Sequence, residues 1–234
     1  MKKLVMIVLC LGMLGLMPGT ASAASVSGYH EGWDVPNDLA GWTANTIISS
    51  VSQTSYGGNP DGLIGTGGYA NGSFDVGAMS ELAAITGNFI GQIWTVSVDL
   101  AFVYGNVDNA WLRFRYLDGT QNGWVYSLTS SAFSPAWNSF SVTFDPSWSD
   151  AEARAHGWLT DLEAVSPTAD PSVSWSQTMS DVYTTEVRIS GEGFVGAWID
   201  NFRLTTAAVP EPASLLLVGA GLAGLAAFRR TLRR

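Results

Sequence analysis

Trp94, Val96, Val98, Leu100 and Phe102 alternate with polar Thr95, Ser97 and Asp99, and this period of two is the strongest constraint in the chain. Side chains of an extended strand point to opposite faces in turn, so such a run buries one face and wets the other. The pattern returns at Leu112, Phe114 and Tyr116, at Trp124, Tyr126 and Leu128, and at Phe140, Val142 and Phe144. A turn-rich segment, Asp118-Gly119-Thr120-Gln121-Asn122-Gly123, separates two of these runs and predicts a hairpin over 110–129. Two more strands are expected at 183–190 and 194–204, around a turn at Gly191-Glu192-Gly193. Helix signals are few. Ser149 and Glu152 have capping-box spacing before one short turn near Ala153, and Trp175, Met179 and Val182 recur at spacings of four and three. Many short strands joined by glycine-rich turns predict an all-β, two-sheet β-sandwich, with the jelly roll as its form.

The two ends differ in kind from this middle. Lys2 and Lys3 precede an apolar stretch over 4–17, and Ala21-Ser22-Ala23 follows it. That order predicts a signal peptide over 1–23, with Ala21 and Ala23 in the small-residue subsites of signal peptidase. The apolar run is too short to cross a ~30 Å hydrocarbon core comfortably. At the other end, Pro210-Glu211-Pro212 precedes an apolar run over 213–228, and Arg229, Arg230, Arg233 and Arg234 close the sequence. As a helix that run is about 24 Å long at ~1.5 Å per residue, which predicts one short transmembrane helix. The arginines would stay on the cytoplasmic side, leaving the two prolines extended at the outer boundary. Gly219, Gly221 and Gly224 have dinucleotide-binding spacing, but no strand, acidic partner or following helix accompanies them. A nucleotide site is rejected.

This tail resembles the PEP-CTERM sorting signal. The resemblance implies that exosortase, a membrane-embedded cysteine transpeptidase of Gram-negative bacteria that make exopolysaccharide, recognises Pro210, Glu211, Pro212 and the cluster at Arg229 and Arg230. It implies an exported protein, held briefly in the inner membrane and then placed in the cell envelope, on the outer surface or in the extracellular matrix. The expected division is a signal peptide at 1–23, a sandwich domain at 24–208 and a sorting signal at 209–234.

The expected domain carries 19 acidic residues, no lysine, and only Arg113, Arg115, Arg154, Arg188 and Arg203 as bases. A nucleic-acid partner needs a basic stripe, so that class is excluded. Cys10 belongs to the signal, and His30 and His156 are the only histidines. Thiol, Schiff-base and multi-histidine zinc chemistry are therefore closed. Neither histidine stands in a nucleophile elbow, and both read as surface residues. Paired carboxylates remain open to a glycoside hydrolase, drawn from Glu81, Asp99, Asp145, Asp150, Glu152 and Glu163. No spacing singles out two of them, and a non-enzyme is expected. Trp33, Tyr56, Tyr69 and Trp137 lie in loop-like surroundings, where a ring could stack on a sugar, but packing into the core is the expectation for each taken singly.

The pattern Gly41-Trp42, Gly57-Gly58-Asn59-Pro60-Asp61-Gly62-Leu63, Ser174-Trp175, Met179-Ser180-Asp181-Val182, Glu186-Val187-Arg188-Ile189 and Ile199-Asp200-Asn201-Phe202-Arg203-Leu204 resembles the laminin B domain, a galactose-binding-like jelly roll. That resemblance implies a structural calcium ion (Ca2+) between first and last strands, held by Glu31 and Asp200 with Asp34 and Asp61 nearby. It implies a module that binds or scaffolds exopolysaccharide. A purely structural envelope protein without a specific ligand is the second reading, and a polysaccharide-active glycoside hydrolase the third.

Overall fold

The computed structural model describes residues 28–71, 76–116, 122–128, 135–165 and 173–206. Outside them lie the expected signal peptide with Ala21 and Ala23, the hairpin loop at 118–121, and the tail with Pro210, Glu211, Pro212, Arg229 and Arg230. The strands are β1 (Tyr29–Glu31), β2 (Trp42–Ala44), β3 (Ser49–Thr54), β4 (Leu63–Asn71), β5 (Val76–Ser80), β6 (Trp94–Tyr116), β7 (Gly123–Ser127), β8 (Asn138–Phe144), β9 (Trp158–Thr160) and β10 (Val182–Thr206). Three short helices accompany them: α1 (Asp150–Ala155), α2 (Asp161–Val165) and α3 (Trp175–Ser180). Both α1 and α3 begin with capping boxes, Ser149 with Glu152 and Ser174 with Gln177. Val182, expected on the helical repeat of Trp175 and Met179, instead opens β10.

Two long strands organise the rest. β6 and β10 pair antiparallel along nearly their whole lengths, forming a ribbon that other strands extend on both sides. Along one half the order is β2-β5-β10-β6-β7-β9. Along the other, β4 and β1 flank β10, β3 flanks β4, and β8 flanks β6.

The ribbon is folded over. Trp42 pairs with Ser80, and Ser80 with Thr185. Phe202 stands about 17 positions further along β10, roughly 55 Å away on a straight strand. Yet the Trp42 and Phe202 rings are 4.9 Å apart. Register shifts at Ser190/Gly191, Glu192/Gly196 and Gly196/Ala197 mark the bend, because a bulge adds an unpaired residue and kinks its strand. Gly193 has φ +79°, a region that glycine enters without a Cβ penalty. The expected turn at Gly191-Glu192-Gly193 is therefore corrected: these residues bend one continuous strand that stays paired with β6 on either side. The sandwich is present, with both layers built from a single all-antiparallel sheet.

One core fills the space between the layers. Trp158 of β9 lies 5.6 Å from Phe114 of β6, 5.6 Å from Phe144 of β8 and 5.0 Å from Trp175 of α3, ring centre to ring centre. Aromatic pairs at such spacings add to the area they bury.

The opposite face of the β5–β10–β6–β7 half is polar but also closed. Arg113 is 1% exposed; its Nε donates to Asp161 at 2.9 Å and its Nη1 to Glu186 at 3.2 Å. Arg188 and Arg115 also reach Glu186, at 3.3 and 3.6 Å, and Thr184 Oγ1 donates to it at 2.8 Å. Burial alone would raise the Glu186 pKa, but the guanidiniums of Arg113, Arg188 and Arg115 outweigh it and hold the carboxyl below its usual range.

Candidate functional site

The outer face of the other half carries aromatic side chains where a sandwich surface is normally polar. Val195, Ala197 and Ile199 of β10 are buried in the core, whereas Phe194 is 59% exposed and Trp198 half-buried. Strand register sets their neighbours: Gly65 opposite Trp198, Gly67 opposite Gly196, and Tyr69 opposite Phe194. Ser52 and Ser50 of β3 follow beside Gly65 and Gly67, and Tyr104 of β6 lies beside Gly196.

These pairings make a trough that crosses the strands. Gly65 and Gly67 form a floor without side chains, and the Tyr104 ring lies over Gly196 beside it. Trp198 stands on one side, Phe194 and Tyr104 on the other, and the rings of the latter two meet edge-on at 6.3 Å. The trough offers a volume of about 210 Å³, open to solvent along its top. A Cβ on Gly196 would lie 3.0 Å from the Tyr104 ring, so glycine there lets that ring lie close against the strand. Glycine inside a strand otherwise weakens it, and commonly marks a site of close approach. Ser50 and Ser52 add hydroxyls to the lining. Apolar ring faces beside hydroxyls match a sugar, which presents C–H faces and hydroxyl edges together.

The four loop aromatics divide. Tyr69 and Tyr56 depart from the expected core packing, Tyr69 being 67% exposed at the rim of the trough and Tyr56 78% exposed in the β3–β4 loop, while Trp137 has its ring 6.4 Å from that of Trp198. Trp33 packs into the core as expected: it is 1% exposed, packs edge-on against Trp42 at 5.7 Å, and donates its Nε1 to the Leu39 carbonyl. Its loop folds over the end of the sandwich, so the ring closes the core. Tyr104, Phe194 and Trp198 were not singled out by the sequence.

The four residues expected to hold calcium tie loops together. Glu31 accepts from the Trp33 amide at 2.8 Å, and Asp34 from the Gly62 amide at 3.1 Å. Asp200 accepts from the amides of Asn59 and Asn201, while Asp61 is exposed on its loop. Asn201 also donates to Asp99, the register partner of Asp200. Among the described residues no three acidic, histidine or cysteine side chains converge closely enough to hold a metal ion.

Asp200 nevertheless has an electrostatic signature. Burial raises its pKa, the Asn59 and Asn201 amides oppose the rise, and the negative charges of Asp99 and Asp34 add to it. A carboxyl with its folded value above its unfolded one costs stability at neutral pH, and the cost disappears as pH falls below the unfolded value near ~3.9. Asp200→Asn removes the charge and keeps one of the two oxygens that accept from the Asn59 and Asn201 amides. It should raise Tm at pH 7, with the advantage vanishing towards pH 4. A lower Tm for this variant in calcium, reversed by chelator, would instead mean that a cation compensates the charge.

The carboxylates considered for catalysis have structural partners. Asp145 and Glu152 accept from the Ser147 and Ser149 amides, Asp150 from the Trp175 amide, and Glu163 from the Thr160 amide and Arg154. Glu81 is exposed. Both histidines lie at the surface as expected, His30 near Asn201 and His156 stacked on Trp148 at 4.2 Å.

The family model of the PEP-CTERM protein-sorting motif matches residues 208–234. This chain carries a PEP-CTERM sorting signal. It is therefore an exported protein sorted to the cell surface. No curated protein sequence matches it. Solved structures with a similar fold include the family 22 carbohydrate-binding and family 10 hydrolase modules of a Clostridium thermocellum xylanase complexed with xylohexaose, at 17% identity and TM-score 0.49. The match covers 78% of this chain and 29% of that one. A xylan-binding family 22 module from Paenibacillus barcinonensis is similar at 10% identity over 80% of this chain and 99% of its own, TM-score 0.48. A family 11 carbohydrate-binding module of a Clostridium thermocellum cellulase is similar at 15% identity over 79% and 97%, TM-score 0.48.

Proposed function

We propose that this protein binds extracellular polysaccharide in the trough between Trp198 and Phe194, after export and surface sorting through its C-terminal signal. The trough carries the reading: aromatic faces, serine hydroxyls and a glycine floor are gathered from four strands at one place. Stacking on an apolar sugar face and hydrogen bonding to its hydroxyls need no titrating group. Rings and hydroxyls in that lining support a binding role. Native electrophoresis of the exported protein in gels containing soluble polysaccharides tests the reading. Retardation by at least one polymer is expected, and unchanged mobility across a broad panel would refute it.

Processing is part of the same proposal. Signal peptidase would cut after Ala23, and exosortase would act near Pro210-Glu211-Pro212 once the following helix is in the inner membrane. Intact mass of protein recovered from the cell surface should then lack both the first 23 residues and the arginine tail. Surface protein that still ended in Arg234 would reduce the tail to a plain anchor.

A further inference from the structure

We propose that the trough selects an uncharged polysaccharide and rejects polymers bearing carboxylate or sulfate groups. The inference rests on the binding site proposed above and concerns the class of ligand it takes. Its first support is the lining, where serine hydroxyls, glycine backbone and aromatic rings offer a bound anion no counter-charge among the described residues. An anion pressed against them would lose water without gaining a partner, which is costly.

The second support is where the cations are. The domain has five arginines and no lysine. Arg113, Arg115 and Arg188 converge on Glu186 in the opposite half of the ribbon, and Arg154 pairs with Glu163 at 2.7 Å. Arg203 is exposed, but it stands further along β10 than Asp200, so the Asp200–Asp99 pair intervenes between it and Trp198. Four of the five basic residues are thus engaged away from the trough.

The third support is the charge around the site. Asp200 and Asp99 face each other in register two residues beyond Trp198, and exposed Glu192 lies two residues before Phe194. Two residues along a strand span about 7 Å, comparable to the Debye length of ~8 Å at physiological salt. Like charges brought together at an interface oppose the wrong partner.

The test uses the exported protein and matched polymers: a panel of neutral polysaccharides and a carboxymethylated derivative of each. For a neutral polymer that binds, the charged derivative should bind about tenfold more weakly or worse, with the gap narrowing at high salt. Affinity for the neutral polymer should be nearly independent of salt. Equal or stronger binding of charged derivatives, with or without calcium, overturns the selectivity. If that binding is lost in Trp198→Ala, the trough itself survives as the site. Failure of every polymer, neutral and charged, removes the binding site and this inference with it.

Discussion

Arg113→Met should destabilise the domain by about 3–5 kcal/mol, the usual cost of removing one partner from a buried ion pair. In a domain of this size that is a fall in Tm of roughly 6–20 °C. The reason is Asp161, 1% exposed, which would be left buried beside an apolar side chain after losing its bonds to Nε and Nη2 of Arg113. Glu186 would suffer less, because Arg115 and Arg188 remain beside it. The pH dependence gives a second readout. Glu186 is held below its unfolded value near ~4.3, so its contribution is present above that pH and lost as pH falls through the lower folded value. The wild type should therefore lose stability on acidification. The deficit of Arg113→Met should be largest at pH 7 and shrink in acid, where Glu186 loses the charge that Arg113 compensates in the wild type. Arg113→Met combined with Asp161→Leu should recover most of the loss. A single variant within about 1 kcal/mol of wild type by denaturant unfolding would show that the network contributes little.

Much of the fold is legible in the sequence, for a physical reason. Trp94, Val96, Val98 and Leu100 report their own burial because a one-residue slip would turn all of them to solvent. The Ser149–Glu152 capping box is equally plain, since it depends only on neighbours three residues apart. β10 is harder. Gly191, Gly193 and Gly196 have the local chemistry of a turn, and only pairing with β6 on both sides of them distinguishes a bend from a hairpin. The trough was hidden by the same strand. From Phe194 to Ile199 nearly every residue is apolar or glycine, a composition that reads as burial on both faces. Val195, Ala197 and Ile199 obey that reading, and Phe194 and Trp198 do not. One signal was available: Gly65, Gly67 and Gly68 in a strand that needs side chains to pack, where their absence points to close approach by something else. The amide partners of the expected calcium ligands were hidden for a different reason. Glu31, Asp34 and Asp200 carry the right charge for an ion, but each also suits a loop amide, and the loops supply such amides.

Trp198→Ala should weaken polysaccharide binding about thirtyfold or more, the effect of removing a central tryptophan from a contact worth ≥ ~2 kcal/mol. Trp198→Phe should retain part of the affinity, because a smaller ring still offers a stacking face. Loss of binding alone would not separate a damaged site from a damaged fold, and Gly65→Ala makes that separation. A Cβ at Gly65 would lie 3.5 Å from the Trp198 ring and 3.6 Å from the Ser52 hydroxyl, which is ordinary van der Waals contact. Within a strand, alanine is favoured over glycine by roughly 0.5–1 kcal/mol through the unfolded chain. The variant should therefore keep or raise Tm. Its methyl group would nevertheless sit on the trough floor against Trp198, where a sugar ring is expected to rest. Unchanged or higher stability together with weaker binding assigns the effect to the trough. Wild-type affinity in both Gly65→Ala and Trp198→Ala would place polysaccharide binding elsewhere on the protein.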